Sequence, residues 1–269
     1  MSVSPLTKDD APVRRKPYAL LDDPRVLGWG SIVLVLVAWE LLARLFNVSA
    51  LYLPRPSQIV VALISLFGSG GLAYDLGVTL WRIFAGFVIA LVSGTLLGLW
   101  IATHFRARAV ADMFIAALYP LPKITLIPLL IIWLGTGGPF MLTISFLGAI
   151  FPIVINTVLG VSQCDPGLVL AARDLGAKPQ QIMRRVLLPS AIPSIFAGVR
   201  LGLGVSIILV VAAEMVVGKA GLGARLYLAG QILETEQVFA ILIVLAMLGI
   251  IVTKVQDAVD AALGNWRVD

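Results

Sequence analysis

Enzymatic chemistry draws on nucleophiles, acids, bases or metal ligands, and this chain offers few of them. Its 269 residues contain one histidine, His104, and one cysteine, Cys164. A zinc site needs several Cys, His or carboxylate ligands together, and a serine nucleophile needs a histidine partner. His104 lies beside Arg106, which argues against a metal ligand, and no two carboxylates share a helix face. No G-x-x-x-x-G-K-[ST] stretch occurs either. Any use of ATP therefore requires another chain to supply the phosphate cradle.

The informative polar residues are the ones embedded in apolar sequence, because a charge in hydrocarbon is expensive to keep. Glu214 follows Arg200 by fourteen positions, about 21 Å along a helix, too far for a direct pair. Arg200 can snorkel to the cytoplasmic edge. Glu214 faces a translocation path or braces an outer gate, or else is satisfied by backbone donors of the Gly-rich turn that follows. Glu40 has Arg44 one turn on, the spacing of a helical ion pair. Arg82 either attracts an anion or anchors at the headgroups. Asn156, Thr157, Thr143, Ser145 and Ser206 line a polar path or act as ordinary interhelical partners. The path candidates are Arg82, Asn156, Ser206 and Glu214.

These residues must be positioned by membrane helices. The chain is 59% hydrophobic and 13% charged, with a mean hydropathy of +1.00. A soluble surface needs roughly a quarter of charged residues, so a water-soluble fold is excluded. A lone cysteine excludes a disulfide scaffold. The net charge of +5 is accounted for by basic cytoplasmic loops, without invoking nucleic acid. Apolar stretches near 27–47, 77–103, 110–134, 139–162, 192–217 and 237–256 reach the roughly 20 residues that cross a bilayer. Pro120, Pro122, Lys123 and Pro128 interrupt the third, which must be bent or broken. The fold class is therefore all-α, a polytopic bundle of about six transmembrane helices. Its spans occupy 27–258, between a basic N-terminal tail (1–26, with Arg14, Arg15 and Lys16) and a short C-terminal tail (259–269). No apolar core or cleavage site marks the N-terminal tail as a secretory signal. The bias of Lys and Arg places both termini in the cytoplasm. Ala90, Gly94 and Gly98, and again Gly198, Gly202 and Gly204, form small faces on which helices approach closely.

The longest cytoplasmic loop, 163–190, is built from helix signals. Asp165 is a good N-cap and Pro166 suits the first helical position. Leu168, Ala171, Ala172 and Leu175 share a face, and Gly176 suits a left-handed end. Pro179 starts a second short helix, with Ile182 and Val186 on one face and Arg184 and Arg185 in water. Pro189 and Pro193 are expected to stop it before the fifth span. Such a helix–turn–helix is either a docking element or a well-capped connection.

The stretch AARDLGAKPQQIMRRVLLP resembles the EAA motif of ABC importer permeases, which reads Glu-Ala-Ala, three residues, Gly, nine residues, Ile, one residue, Leu-Pro. Ala171, Ala172, Gly176, Leu188 and Pro189 match, Asp174 lies within the motif, and Val186 replaces Ile. Leu170 stands where the family has Glu. YLPRPSQIVVAL (52–63), YPLPKITLIPLLIIWLGTG (119–137) and VVAAEMVVGKAGLG (210–223) resemble the branch that imports nitrate, alkylsulfonates and taurine. The resemblance implies a type I permease with a coupling-helix pair in a bacterial inner membrane, working as a homodimer. It implies two copies of a separate ATPase subunit that binds ATP and Mg and grips the 165–188 loop. It implies an extracytoplasmic binding protein that delivers a small anion, and no cofactor on this chain itself. The expected coupling residues are Leu170, Ala171, Ala172, Asp174, Gly176, Val186, Leu188 and Pro189. The alternative is an ion-coupled secondary transporter, a class that also uses broken helices.

Overall fold

A computed structural model describes residues 24–264, all helix and connecting turns with no strand among them. Most of the 1–26 tail and the last five residues of the 259–269 tail lie outside the described residues. The chain divides into two compact units, Met1–Gln58 and Ile59–Asp269.

The first unit carries α1 (Pro24–Leu45) and the first residues of α2 (Pro56–Gly68). The expected Glu40–Arg44 pair is present, with Arg44 Nε donating to Glu40 Oε1 over 2.7 Å. The same carboxylate receives the Ser57 backbone N–H at 3.1 Å and its hydroxyl at 2.9 Å, which caps the start of α2 with an anion.

The second unit contains α3 (Gly71–Thr103), α4 (Phe105–Leu118), α5 (Ile127–Leu134), α6 (Gly138–Ser162), α7 (Pro166–Asp174), α8 (Pro179–Ile182), α9 (Leu188–Val217), α10 (Leu222–Gln231) and α11 (Thr235–Gly264). Among the described residues, five helices are long and apolar enough to span a bilayer, and six when α4 and the segment Lys123–Leu134 count as one. Those two are bent by 85°, as the prolines require. Lys123 closes the bend: its ammonium donates to the Tyr119 carbonyl at 2.8 Å and sits 5.0 and 5.3 Å from the Tyr119 and Phe151 ring centres. Desolvated cations gain most from such ring faces.

The core is the three-helix contact of α3, α6 and α9, where buried Ile83, Phe87, Phe140, Ile144, Ile153 and Val210 meet. Small residues permit it. A Cβ on Gly86 would lie 2.4 Å from the Leu142 carbonyl oxygen, one on Gly148 2.9 Å from Ser206 Cα, and one on Gly198 2.7 Å from Asn156 Cβ. Of the small residues read from the sequence, Ala90, Gly94, Gly98, Gly198 and Gly202 lie in this interface, whereas Gly204 faces open space.

Three expectations need correction. The second span begins at Gly71 rather than residue 77; Asp75 interrupts the apolar run but is paired within the fold, so it does not end the helix. The short α2 and α10 do not stand out in the sequence because neither reaches spanning length. Pro189 and Pro193 do not stop the coupling-loop helix: one helix runs from Pro179 to Val217. Proline normally clashes with the carbonyl four residues back. Here Met183–Leu187 forms a π-helical segment just before Pro189, and the wider turn carries the chain past that carbonyl.

Gly86→Ala is expected to lower the thermal unfolding midpoint of the detergent-solubilised protein, with a loss of about 1–3 kcal/mol from overpacking. Gly204→Ala, whose added methyl meets nothing within 4 Å, should leave the midpoint unchanged or raise it.

Candidate functional site

Two places hold the residues that the sequence singles out. The first is the loop between α6 and α9. Asp165 accepts the Gly167 N–H at 2.8 Å with its side chain and Pro166 follows as the first helical residue. Gly176 ends the turn with φ +79°, a region costly to a residue with a Cβ. The Lys178 N–H donates to the Gln181 side chain at 2.7 Å, capping α8. Ile182 is buried and Val186 half-buried, while Arg184 and Arg185 are exposed. The apolar face of α7 and its cap is left uncovered, with Leu168 55% and Leu175 89% exposed, and Leu170 on the opposite side of the helix is 57% exposed. Ala171 and Asp174 are exposed, Ala172 half-buried. Leu188 and Pro189 belong to α9 at the membrane end of the element and are half-buried.

The second place is a buried polar cluster where α3 meets the end of α9 and the start of α10. Glu214 and Thr79 are fully buried and Asp75 nearly so. Arg82 Nη1 donates to Glu214 Oε1 at 2.6 Å and to the Ala220 carbonyl at 2.7 Å. The other carboxylate oxygen receives the Gly223 N–H at 3.0 Å and the Thr79 hydroxyl at 2.9 Å. The Thr79 oxygen in turn accepts the Leu222 N–H at 2.9 Å. Asp75 accepts the Gly221 N–H at 2.8 Å and pairs with Arg225. Gly221 has φ +113°, and a Cβ there would lie 2.3 Å from Glu214 Oε1; only glycine allows the turn to close on the carboxylate.

The backbone donor expected from the Gly-rich turn is present as the Gly223 N–H, and Arg82 adds a counter-charge that neither reading named. Arg82 is thus committed to a carboxylate. Arg200 pairs with Asp257 on α11. The other path candidates lie elsewhere. Ser206 donates to the Ser145 carbonyl at 2.8 Å, and Ser145 donates to the Ile83 carbonyl at 2.7 Å, a relay across α9, α6 and α3. Asn156 donates to the Pro152 carbonyl at 2.8 Å, and Thr157 and Thr143 each bond the carbonyl four residues back. Asp75, Thr79 and Arg225 escape the sequence reading. The signal was present: Asp75, Thr79 and Arg82 recur at i, i+4 and i+7, one polar stripe on an otherwise apolar helix. Among the described residues, no group of three His, Cys, Asp or Glu side chains is placed to hold a metal ion.

Arg82→Met leaves the Glu214 carboxylate buried without its counter-charge and should cost roughly 3–5 kcal/mol. The double variant Arg82→Met/Glu214→Gln should recover part of that loss. Thr79→Val, close to isosteric, should cost about 1–3 kcal/mol by orphaning the Leu222 N–H. Thermal melts of the wild type, these three variants and the single variant Glu214→Gln read these differences directly; additive losses for Arg82→Met and Glu214→Gln would show that the pair is not coupled.

Comparison with known proteins agrees with this architecture. Residues 94–265 match the family described as binding-protein-dependent transport system inner membrane component. The taurine transport system permease protein TauC of Escherichia coli is 30% identical, with 90% of each chain covered. The aliphatic sulfonates transport permease protein SsuC of Bacillus subtilis, itself a putative assignment by name, is 31% identical over 98% of this chain and 95% of that one. A permease chain in an inward-facing structure of the MetNI methionine ABC transporter superposes with a TM-score of 0.56 at 25% identity, over 72% of this chain and 95% of that chain. With family, near-full-length relatives and fold in agreement, this chain belongs to the binding-protein-dependent inner-membrane components, the multi-pass permease subunits of ABC importers.

Proposed function

We propose that this permease works in an importer for a small organic or inorganic anion such as taurine, an alkylsulfonate or nitrate. It is driven by ATP hydrolysis on two copies of a separate subunit, where ATP and Mg bind. Two copies of the chain form the path, an extracytoplasmic binding protein delivers the cargo, and both termini face the cytoplasm. The permease domain spans 27–258 between the two tails. This chain performs no catalysis; its part is to open and close a path.

The observation that carries the reading is the uncovered apolar face of α7. Leu168 projects from a short capped helix and Leu175 from its cap on the same face, with Leu170 exposed on the other side, and apolar side chains held in water call for a partner surface. The turn after it ends in left-handed Gly176 and leads into the helix that continues through the bilayer as α9. A groove on an ATPase subunit gripping α7 would move α9 with it. The anion class is supported by the taurine and sulfonate transport named for relatives that match nearly this whole chain.

Co-expression with an ATPase subunit and a binding protein of the same organism, followed by reconstitution in proteoliposomes, tests the reading. ATP-dependent uptake of taurine, an alkylsulfonate or nitrate is expected. Recovery of the native complex without a nucleotide-binding subunit would overturn it. Gly176→Val has open space around its side chain but a backbone angle that a β-branched residue resists. It should insert normally and lose at least tenfold of the substrate-stimulated ATPase rate. Leu170→Glu should still assemble with the ATPase; failure to assemble would show a groove that has become apolar around position 170.

A further inference from the structure

An elongated groove of 1090 Å³ lies between α2, α3, α9 and α11 in the second unit, slightly above the roughly 300–1,000 Å³ usual for small-molecule sites. From Val244 to Asp260 it follows α11 for about 24 Å at 1.5 Å per residue. Its walls are long apolar side chains, with Phe84, Phe196, Met247 and Ile251 among them. Phe84, Met247 and Ile251 are 41%, 52% and 56% exposed, so the slot is open along its length. Polar groups gather at one end only, that of the N-terminal part of α9 and the C-terminal part of α11: Arg200, Gln256 and Asp260. Gln256 Nε2 is buried there without a hydrogen-bond partner, an uncommon state for a donor.

We propose that this groove holds one phosphatidylethanolamine molecule, with an acyl chain along the apolar walls and the headgroup at the polar end. The rim is dipolar. Arg200 presents N–H donors to a phosphate oxygen and Asp260 presents a carboxylate to the ammonium, while Asp257, outside the lining, pairs with Arg200. A transported anion does not fit, since Asp260 lines the polar end and Asp257 already pairs with its one arginine. A helix of a second copy fits poorly as well. Helices pack closely in lipid through small residues, and the small faces of α3, α6 and α9 are already pressed against one another. A flexible chain fills an irregular slot lined by Phe and Met. The leaflet rests on the orientation proposed above: the polar end lies on the coupling-loop side and takes a lipid of the inner leaflet. The slot itself does not depend on coupling or cargo.

The test uses the full chain purified with whatever subunits it retains, delipidated in mild detergent and then offered phosphatidylethanolamine or phosphatidylglycerol, with retained lipid counted by native mass spectrometry. One phosphatidylethanolamine per permease chain is expected, held at least tenfold better than phosphatidylglycerol. Arg200→Met should weaken it at least fivefold, and Met247→Trp, which fills the slot from its open side, should abolish it. Equal retention of the two lipids would overturn the headgroup assignment. Retention unchanged in both variants would place the lipid elsewhere. Disulfide formation between two copies carrying Ile251→Cys in a Cys164→Ala background would show that a second chain occupies the groove. None of these readouts requires nucleotide or substrate, so their failure is distinguishable from failure of the importer reading.

Discussion

A carboxylate without water must be met by donors on every side, and Glu214 imposes that requirement on the end of this bundle where α9 meets α10. Its desolvation is tolerable only because Arg82, Thr79 and the Gly223 N–H converge on its two oxygens. Each donor constrains something else. Thr79 must sit one turn before Arg82 on α3, Gly221 must lack a side chain, and α10 must start where its first N–H groups reach back toward α3. Asp75 extends the same demand outward and draws Arg225 of α10 to it. The turn between α9 and α10 is therefore fixed by electrostatics at a place where apolar packing alone would leave it free.

Elsewhere the bundle relies on closeness. Glycines along α3, α6 and α9 bring backbones near enough for Ser206 to reach Ser145 and for Ser145 to reach Ile83. In lipid, where no hydrophobic force drives helices together, van der Waals contact and such hydrogen bonds carry association. α11 is different: long side chains face α3 and α9 and leave a slot between them. The same molecule thus combines a tightly closed three-helix centre with a looser margin.

Much of the fold was legible because hydropathy and proline are local signals. Six apolar runs, the broken third span, the Asp165–Pro166 helix start and the left-handed Gly176 all follow from residues within a few positions of one another. What escaped the sequence was non-local or short. Asp75 and Arg225 are 150 positions apart, and Arg200 and Asp257 are 57 apart, so nothing in either neighbourhood names the partner. Without its partner, Asp75 looked like the end of an apolar run rather than part of a span. The π segment at 183–187 has no residue signature, and Pro189 after it resembled a stop. α2 and α10 fall below spanning length and carry no periodicity strong enough to stand out.

The continuity of the helix across Pro189 has a mechanical meaning. Thirty-nine residues without a break, Pro179 to Val217, make a rod of about 58 Å. A rod does not absorb motion at its foot as a hinged pair would; it delivers it. Tilting it by about 5° about its inner end swings the far end sideways by about 5 Å, the scale of one helical turn. Glu214 sits near that far end, so leverage applied beside the aqueous loop is felt first by the one side chain that can least afford to lose its neighbours.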